Sequence, residues 1–477
     1  MNKLTKIVAT IGPSSDSEEM IEKLILQGVN VFRFNFKHNT MDWHSERIQR
    51  VNSVAHRIGI SVGSLIDLQG PEIRINMPTD KMDIVKGDLL VFGPEALDNK
   101  EKGFSISHPE IIEHLEEGQK ILADDGAFSF FFERKDNKTY LRVDNGGSLG
   151  NRKSMNIPGA QFPFPVLVDR DFEALKVAAL NEVDYVALSF VRSAEDLKIT
   201  RSEMEKYKVN AKLVAKIETQ KAIDDLDNVI ENADALMVAR GDLGVEMPME
   251  QVPFYQKLMI KKCMEKGIPV ITATQMLQSM ITAPYPTRAE VSDIANAAYD
   301  LTDAVMLSGE TANGKYPLEA VTAMNKTIEF NERQLITDTR RRFSYVTKSQ
   351  TEIICDAAYN MYLKYASTED IQAFVVFTQT GTTTHMLSRY RPQIPVFAIT
   401  PNVDLAESLT VNFGVYAFPA NQLEVHNTEV NVKEISKTLS FLVQHNYLSK
   451  GKSVIVLHGE VWGIAGGTST IKILPVK

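Results

Sequence analysis

Residues 213–242 read LVAKIETQKAIDDLDNVIENADALMVARGD. Two short, largely apolar runs, LVAKIE from Leu213 and ALMVAR from Ala235, flank a helical stretch. Apolar runs of this length suit strands buried on both faces of a parallel sheet, with helices covering each side. The rhythm recurs in both directions. IVATI (from Ile7), VFRFN (from Val31), VGSLID (from Val62) and YVALSF (from Tyr185) precede it, and PVITAT (from Pro269) and AVMLS (from Ala304) follow. The stretches between are amphipathic, as in Ser17–Leu26, where Met20, Ile21, Leu24 and Ile25 fall at helical spacing. Eight strands in this order predict an α/β fold of the TIM (β/α)8 barrel type.

One connection is too long for a barrel loop. From Ile73 to Asn156 the texture changes to short alternating runs such as Thr139–Val143, punctuated by Lys86-Gly87-Asp88, Asp124-Asp125-Gly126 and Asp144-Asn145-Gly146-Gly147. This reads as a small β-barrel inserted after the third strand, at the barrel end where active sites lie, and hence as a lid domain. The predicted division is residues 1–72 with 157–338 for the barrel, 73–156 for the lid and 339–477 for a C-terminal α/β open-sheet domain. A long helix is expected over Lys326–Asp338, then a basic linker at Thr339-Arg340-Arg341-Arg342. AFVVF (from Ala373), PVFAI (from Pro395), GVYAF (from Gly414), SVIVL (from Ser453) and IKILPV (from Ile471) then supply a second, mostly parallel sheet.

Composition narrows the function. The 477 residues are 44% hydrophobic and 24% charged, those of a globular chain with several domains. A formal net charge of -9 argues against nucleic acid held on a broad basic surface. Two cysteines are too few for a disulfide framework, and Cys263 lies in the amphipathic stretch KLMIKKCMEKG as an expected buried thiol. The absence of a long apolar run points away from a membrane and towards the cytoplasm.

Barrel chemistry belongs at or just past strand C-termini. Read in order, these positions hold Thr10, Arg33, Asn35, Lys37, Asp67, Arg74, Lys216, Glu218, Arg240, Asp242, Thr274 and Ser308–Thr311. A single Ser, Thr or Asp there is often only the N-cap of the next helix, but capping does not explain the clustered cations. Lys216 and Glu218 alternate along one strand and face the same way, and Asp242 closes the next. They read either as a structural ion pair or as an oxygen-only site for a hard divalent ion, Mg²⁺ or Mn²⁺. Phosphoryl transfer needs positive charge around the moving group, which Arg33, Arg74, Lys216 and such an ion would supply. Neither a P-loop nor the protein-kinase motif set occurs, so nucleotide chemistry here would use the barrel rim.

These residues stand in long motifs, in order along the chain: KLTKIVATIGP (3–13), GPEIR (70–74), ALSFVR (187–192), LVAKIE (213–218), MVARGDLGVE (237–246), TQMLQSM (274–280), PTRAE (286–290), MLSGETA (306–312) and GGTSTIK (466–472). The chain resembles the pyruvate kinase family throughout. The resemblance implies transfer of a phosphoryl group from phosphoenolpyruvate to ADP, giving pyruvate and ATP. It implies that Arg33 and Lys216 contact the phosphoryl group and that Glu218 and Asp242 hold the divalent ion. The main chain of Ala239, Arg240 and Gly241, with Asp242 and Thr274, would surround the substrate, Thr274 lying near the proton delivered to the enolate carbon. His38, Lys153 and Arg74, with Thr10, Pro13 and Asn35, would meet the nucleotide. A homotetramer is implied by the resemblance alone.

Two positions depart from the family pattern. Its monovalent-cation site usually draws on Asn, Ser, Asp and Thr in NFSHG and DTKGPEIR, which read NFKHN (35–39) and DLQGPEIR (67–74) here. Asn35 and Asp67 remain, while the hydroxyl ligands have become Lys37 and Leu68. A site short of two oxygen ligands should hold potassium poorly, and Lys37 brings an ammonium able to reach Asp67 or Glu72. The expectation is a potassium-independent enzyme; the alternative is a degraded site with Lys37 in solvent.

In the C-terminal segment, TQTGTTT (378–384) follows a strand and opens a helix. Thr378, Thr380, Gly381, Thr382 and Thr383 are candidates for a phosphorylated effector, or simply cap that helix. Glu460, in the turn 459–463, would repel a phosphate there. Competing readings are a metal-dependent barrel aldolase or lyase and a catalytically silent metabolite sensor. Retention of Arg33, Lys216, Glu218, Asp242 and Thr274 speaks against the sensor.

Overall fold

The computed structural model describes residues 3–98, 101–136, 138–160, 162, 164–335, 343–365, 370–425, 430–459 and 466–477. Eight of its strands are β1 (Lys6–Thr10), β2 (Val31–Asn35), β3 (Gly63–Asp67), β4 (Tyr185–Leu188), β5 (Lys212–Ile217), β6 (Ala235–Ala239), β7 (Val270–Ala273) and β8 (Ala304–Leu307). Each pairs in parallel with its sequence neighbours, and β8 pairs with β1 to close the ring. Alternation divides the side chains. Val8, Val31, Leu65, Ala187, Val214, Met237, Ile271 and Met306 fill the interior, while Ile7, Phe32, Ile66, Val186 and Leu213 pack outward under the helices.

The helices are bounded by the expected chemistry. Ser17 and Thr40 accept the backbone N–H groups of Met20 and Trp43, each at 3.2 Å, and so cap Glu18–Leu26 and Met41–Ile58. The helix expected from Lys326 begins earlier, at Pro317, and runs to Leu335. Proline suits a first helical position because its missing N–H would have no helical partner there. The linker 339–342 lies outside the described residues.

Between β3 and β4, strands from Ile73–Asn76 to Ser154–Asn156 form a second, seven-stranded closed barrel and a two-stranded sheet. This barrel has its own core of Phe92, Phe104, Phe130, Phe132 and their aliphatic neighbours. Beyond residue 343 come β9 (Ile371–Phe377), β10 (Val396–Thr400), β11 (Val415–Pro419), β12 (Ser453–Gly459) and β13 (Thr468–Pro475), in the spatial order β11-β10-β9-β12-β13 with only β13 antiparallel. None of the described helices is long and apolar enough to cross a membrane.

The C-terminal sheet domain closes the barrel end opposite the rim. Val411 joins the barrel's interior cluster, the Tyr185 hydroxyl donates to Ser408 O at 2.7 Å, and Arg391 pairs with Asp303 in full burial. At the same seam Asp184 accepts from Ser64 N and Oγ, the Asp404 carboxylate brings further negative charge, and the Glu407 carboxyl lies close to both. Burial, then the charges of Asp184 and Asp404, push the Glu407 carboxyl up to about 8. Burial likewise pushes Asp184 up to about 7, against the Ser64 donors and with Asp404 adding to the rise.

Because both folded-state values lie above those of free carboxyls, the folded protein binds more protons than the unfolded chain between them. Stability from these groups is therefore greatest at acid pH and is lost as pH rises from about 4 through about 8. Glu407→Gln should raise Tm at pH 8.5 more than at pH 5.5, measured by thermal unfolding at both. Equal shifts would contradict this account of the seam.

Candidate active site

The rim residues converge where β2, β3, β4 and β5 end. Asn35 and Asp67 are register partners on β2 and β3, which sets Arg33 one alternation back beside the Asp67 carboxylate. Arg33 meets Asp67 Oδ2 through Nε and Nη2, both at 2.7 Å, and Nη1 donates to the Thr10 hydroxyl at 3.0 Å. Asp67 Oδ1 lies 3.1 Å from Lys216 Nζ, which also donates to Ser189 Oγ at 2.7 Å. Glu218 Oε1 lies 2.9 Å from the same ammonium. The cluster thus runs from Arg33 through Asp67 and Lys216 to Glu218.

Burial would raise Asp67, but Lys216, Arg33 and Lys37 more than offset it and hold the carboxyl down at about 2. Burial also works against the Lys216 charge, yet Asp67, Glu218 and Asp242 keep its ammonium protonated well above the usual lysine range. These carboxylates favour the charged form of Lys216. Burial raises the Glu218 carboxyl; Lys216 opposes this rise and Asp242 adds to it.

Glu218 also carries the signature of an ion ligand. Its Oε2 accepts the Phe190 N–H at 2.6 Å, while the buried Oε1 faces the Lys216 ammonium at 2.9 Å and meets no other donor among the described residues. No described residue offers Asp242 a hydrogen bond or an ion pair, so beside the Lys216-paired Glu218 a second carboxylate stands with unused lone pairs at the next strand end. No group of three or more His, Cys, Asp or Glu able to hold a metal occurs among the described residues. Two protein carboxylates with the remaining positions left to water and substrate suit Mg²⁺, which seldom relies on an all-protein cage. The residues fit a hard divalent ion.

Lys37 points inward. Its ammonium pairs with Glu72 Oε1, the two side chains being 16% and 8% exposed, and lies 5.3 Å from the Phe190 ring centroid. Arg74 binds the other oxygen, Glu72 Oε2, at 2.6 Å. Burial opposes ionisation of Glu72, but Lys37 and then Arg74 hold its carboxyl below the usual range. Leu68 is fully buried, and its carbonyl accepts from Ser189 Oγ at 2.7 Å. Asn35 Oδ1 accepts the Lys37 N–H at 3.2 Å.

The remaining candidates divide between two cavities that share His38. One, of about 530 Å³ between barrel and lid, is lined by Lys37, His38, Glu72, Arg74, Lys153 and Asp242 among others. The other, of about 430 Å³, takes in Thr10, Pro13, Arg33, Asn35 and His38. Lys153 pairs with Asp124 of the lid at 2.8 Å, and the Thr10 hydroxyl is already engaged by Arg33 and Leu307 O. Arg240 does not aim its guanidinium at Lys216: it donates to Ala273 O and Thr274 O and pairs with Asp293, leaving only the main chain of 239–241 at the rim. Thr274, at φ +65°, accepts the Gly241 N–H at 2.8 Å and donates to Ala273 O.

Ser189 and Phe190 stand outside the candidate set read from the sequence, yet both lie at the centre. Ser189 joins Lys216, Asp67 and the Leu68 carbonyl. Phe190 adopts φ +56°, which aims its N–H at Glu218. The available signal was their position directly after β4. At the distant threonine loop, Gly381 N binds Thr378 Oγ1, Thr380 pairs with Thr382, and Thr383 pairs with Thr468, so these hydroxyls serve one another. Glu460 lies outside the described residues.

A parallel barrel whose C-terminal rim gathers Arg33, Lys216 and the carboxylates of Asp67 and Glu218 has the arrangement of a barrel enzyme, with its charged groups at the strand ends. A family model described as pyruvate kinase, barrel domain, matches residues 2–321, and one described as pyruvate kinase, alpha/beta domain, matches residues 353–474. The pyruvate kinase of Geobacillus stearothermophilus is 40% identical over 479 residues, covering 99% of this chain and 80% of that protein. Those of Sporosarcina psychrophila and Bacillus licheniformis are 39% and 38% identical, covering 98% and 99% of this chain and 80% of each. The chain belongs to the pyruvate kinase family, a family of phosphotransferases.

Proposed function

We propose that this chain transfers the phosphoryl group of phosphoenolpyruvate to ADP, forming pyruvate and ATP in glycolysis, without a requirement for potassium. The observation that carries the reading is the continuous cluster of Arg33, Asp67, Lys216 and Glu218, with Lys37 turned inward beside it. The division at residues 1–72 with 157–338, 73–156 and 339–477 belongs to the proposal, as do a cytoplasmic location and a homotetramer.

In this mechanism Arg33 and Lys216 meet the oxygens of the phosphoryl group as its bond to the enol oxygen breaks and its bond to a terminal ADP oxygen forms. Both cations are held before substrate arrives, so little reorganisation is needed when charge moves. Lys216 then faces the negative charge left on the enolate oxygen. The main chain of Ala239–Gly241 orients the substrate carboxylate, and Thr274 stands near the carbon that takes a proton through water. Glu218 and Asp242 would hold Mg²⁺ or Mn²⁺, which when bound supplies charge neutralisation to phosphate and carboxylate oxygens. His38, Arg74 and Lys153, with Thr10, Pro13 and Asn35, line the nucleotide's approach, and the inserted barrel excludes water. A phosphorylated effector at the threonine loop would have to displace the Thr380–Thr382 pairing.

The distinctive claim is that Lys37 occupies the charge position of a monovalent cation. A lactate-dehydrogenase-coupled assay with ADP, phosphoenolpyruvate and Mg²⁺ should give comparable activity in tetramethylammonium chloride and potassium chloride. A strong need for added potassium would sink the cation reading. No pyruvate with any nucleoside diphosphate would sink the kinase reading.

A further inference from the structure

The loops that carry Lys37 and Glu72 do not hold each other in place by that ion pair alone. Both are gripped by two adjacent residues at the start of the helix Asp169–Leu180, where the chain returns to the barrel after the lid. Arg170 donates through Nε to Phe36 O and through Nη2 to His38 O, at 2.9 Å, and to Asn39 O. These three carbonyls span the Lys37 loop. Asp171, fully buried, accepts Gln69 N at 2.7 Å, Gly70 N at 3.2 Å and Val168 N at 3.0 Å. The first two lie just before Glu72.

A guanidinium placed on carbonyls and a carboxylate placed on N–H groups are each charge-assisted, and neither has a salt-bridge partner of opposite charge at the site. Their donors and acceptors are spent on loop backbone. The Lys37 loop is held from its other side as well: His44 Nε2 donates to His38 O at 2.8 Å, and its ring stacks on Phe36 at 4.0 Å. Glycine at position 70 completes the fit, because a Cβ there would lie 2.9 Å from Phe190 Cδ2.

We infer that Arg170 and Asp171 are positioning residues that set the Lys37 loop and the Glu72 loop in register, and so fix where the Lys37 ammonium stands. This rests on the reading of Lys37 as a built-in cation. It adds a route by which the lid's return segment is tied mechanically to the charge beside the phosphoryl site. Neither residue touches substrate; each acts through the loop it holds.

The test is a double-mutant cycle in the full chain, assayed in tetramethylammonium buffer with Mg²⁺. Arg170→Gln should lower kcat about tenfold, a coupling of the size adjoining residues show, with the KM for phosphoenolpyruvate little changed. Arg170→Lys keeps the charge with a single donor group and should recover part of that loss; it also serves if the glutamine variant folds poorly. Adding Lys37→Met to Arg170→Gln should reduce kcat no further than Lys37→Met alone. If the two losses multiply while Lys37→Met alone is strongly impaired, the built-in cation stands and the positioning role is overturned. Wild-type kcat in folded Arg170→Gln also overturns it. If Lys37→Met is silent, the cation reading fails and this inference falls with it.

Discussion

Lys216→Met should lower kcat by roughly three orders of magnitude, the scale lost when a preorganised charge-stabilising group is removed from a dry site. Methionine keeps much of the length and apolar body of lysine, so the change is chiefly one of charge. In the native protein Lys216 Nζ touches Ser189 at 2.7 Å, Glu218 at 2.9 Å and Asp67 at 3.1 Å, and every one of those contacts is lost. Glu218 and Asp242 remain, so Mn²⁺ titration should still report binding to the folded variant. A cost in stability is expected too, since breaking a buried ion pair typically costs about 3–5 kcal/mol. Tm should therefore fall along with kcat, and the assay belongs well below that Tm. A kcat within tenfold of wild type would remove Lys216 from the reaction.

Lys37→Ser is the second large effect. In potassium-free buffer its kcat should drop by roughly a hundredfold, corresponding to about 3 kcal/mol, the lower end of the cost of stripping a partner from a buried charge. Serine restores one of the two hydroxyls that separate this site from the family's usual pattern, but Leu68 is buried and adds no side-chain oxygen. Added potassium should thus recover only part of the activity, and Lys37→Ser with Leu68→Thr should recover more. The measurement is kcat against potassium concentration at constant ionic strength. A potassium-free Lys37→Ser enzyme as active as the parent would mean that Glu72 and Asp67 need no cation beyond Arg74, Arg33 and Lys216.

The barrel was legible because parallel strands buried on both faces leave little choice of sequence. LVAKIE and ALMVAR could scarcely be anything else, and the strands fall within a residue or so of their apolar runs. The charged rim was legible for the opposite reason, since Lys216 and Glu218 have no place in an apolar strand without a task. Ser189 and Phe190 were hidden because a serine and a phenylalanine at a strand end look ordinary. Their importance lies in a backbone turn at φ +56°, which periodicity does not encode. Arg170 and Asp171 were hidden differently: their partners are main-chain carbonyls and N–H groups, which leave no trace in side-chain identity. Arg240 looked like a rim cation, yet its guanidinium is spent on Ala273, Thr274 and Asp293.

Strand β4 is only four residues long, and both of its ends are occupied. Asp184, just before it, shares the seam with Glu407 of the C-terminal sheet domain. Ser189 and Phe190, just after it, hold Lys216 and Glu218. At about 3.3 Å per residue, the five steps from Asp184 at the base to Ser189 at the rim span roughly 16 Å of one extended chain. Its four strand residues pair in register with β5, and Tyr185–Ala187 pair with β3 as well. In mechanical terms β4 is a short strut between two load points. The seam carboxyl and the hydroxyl beside Lys216 are thus joined through one short, fully paired element.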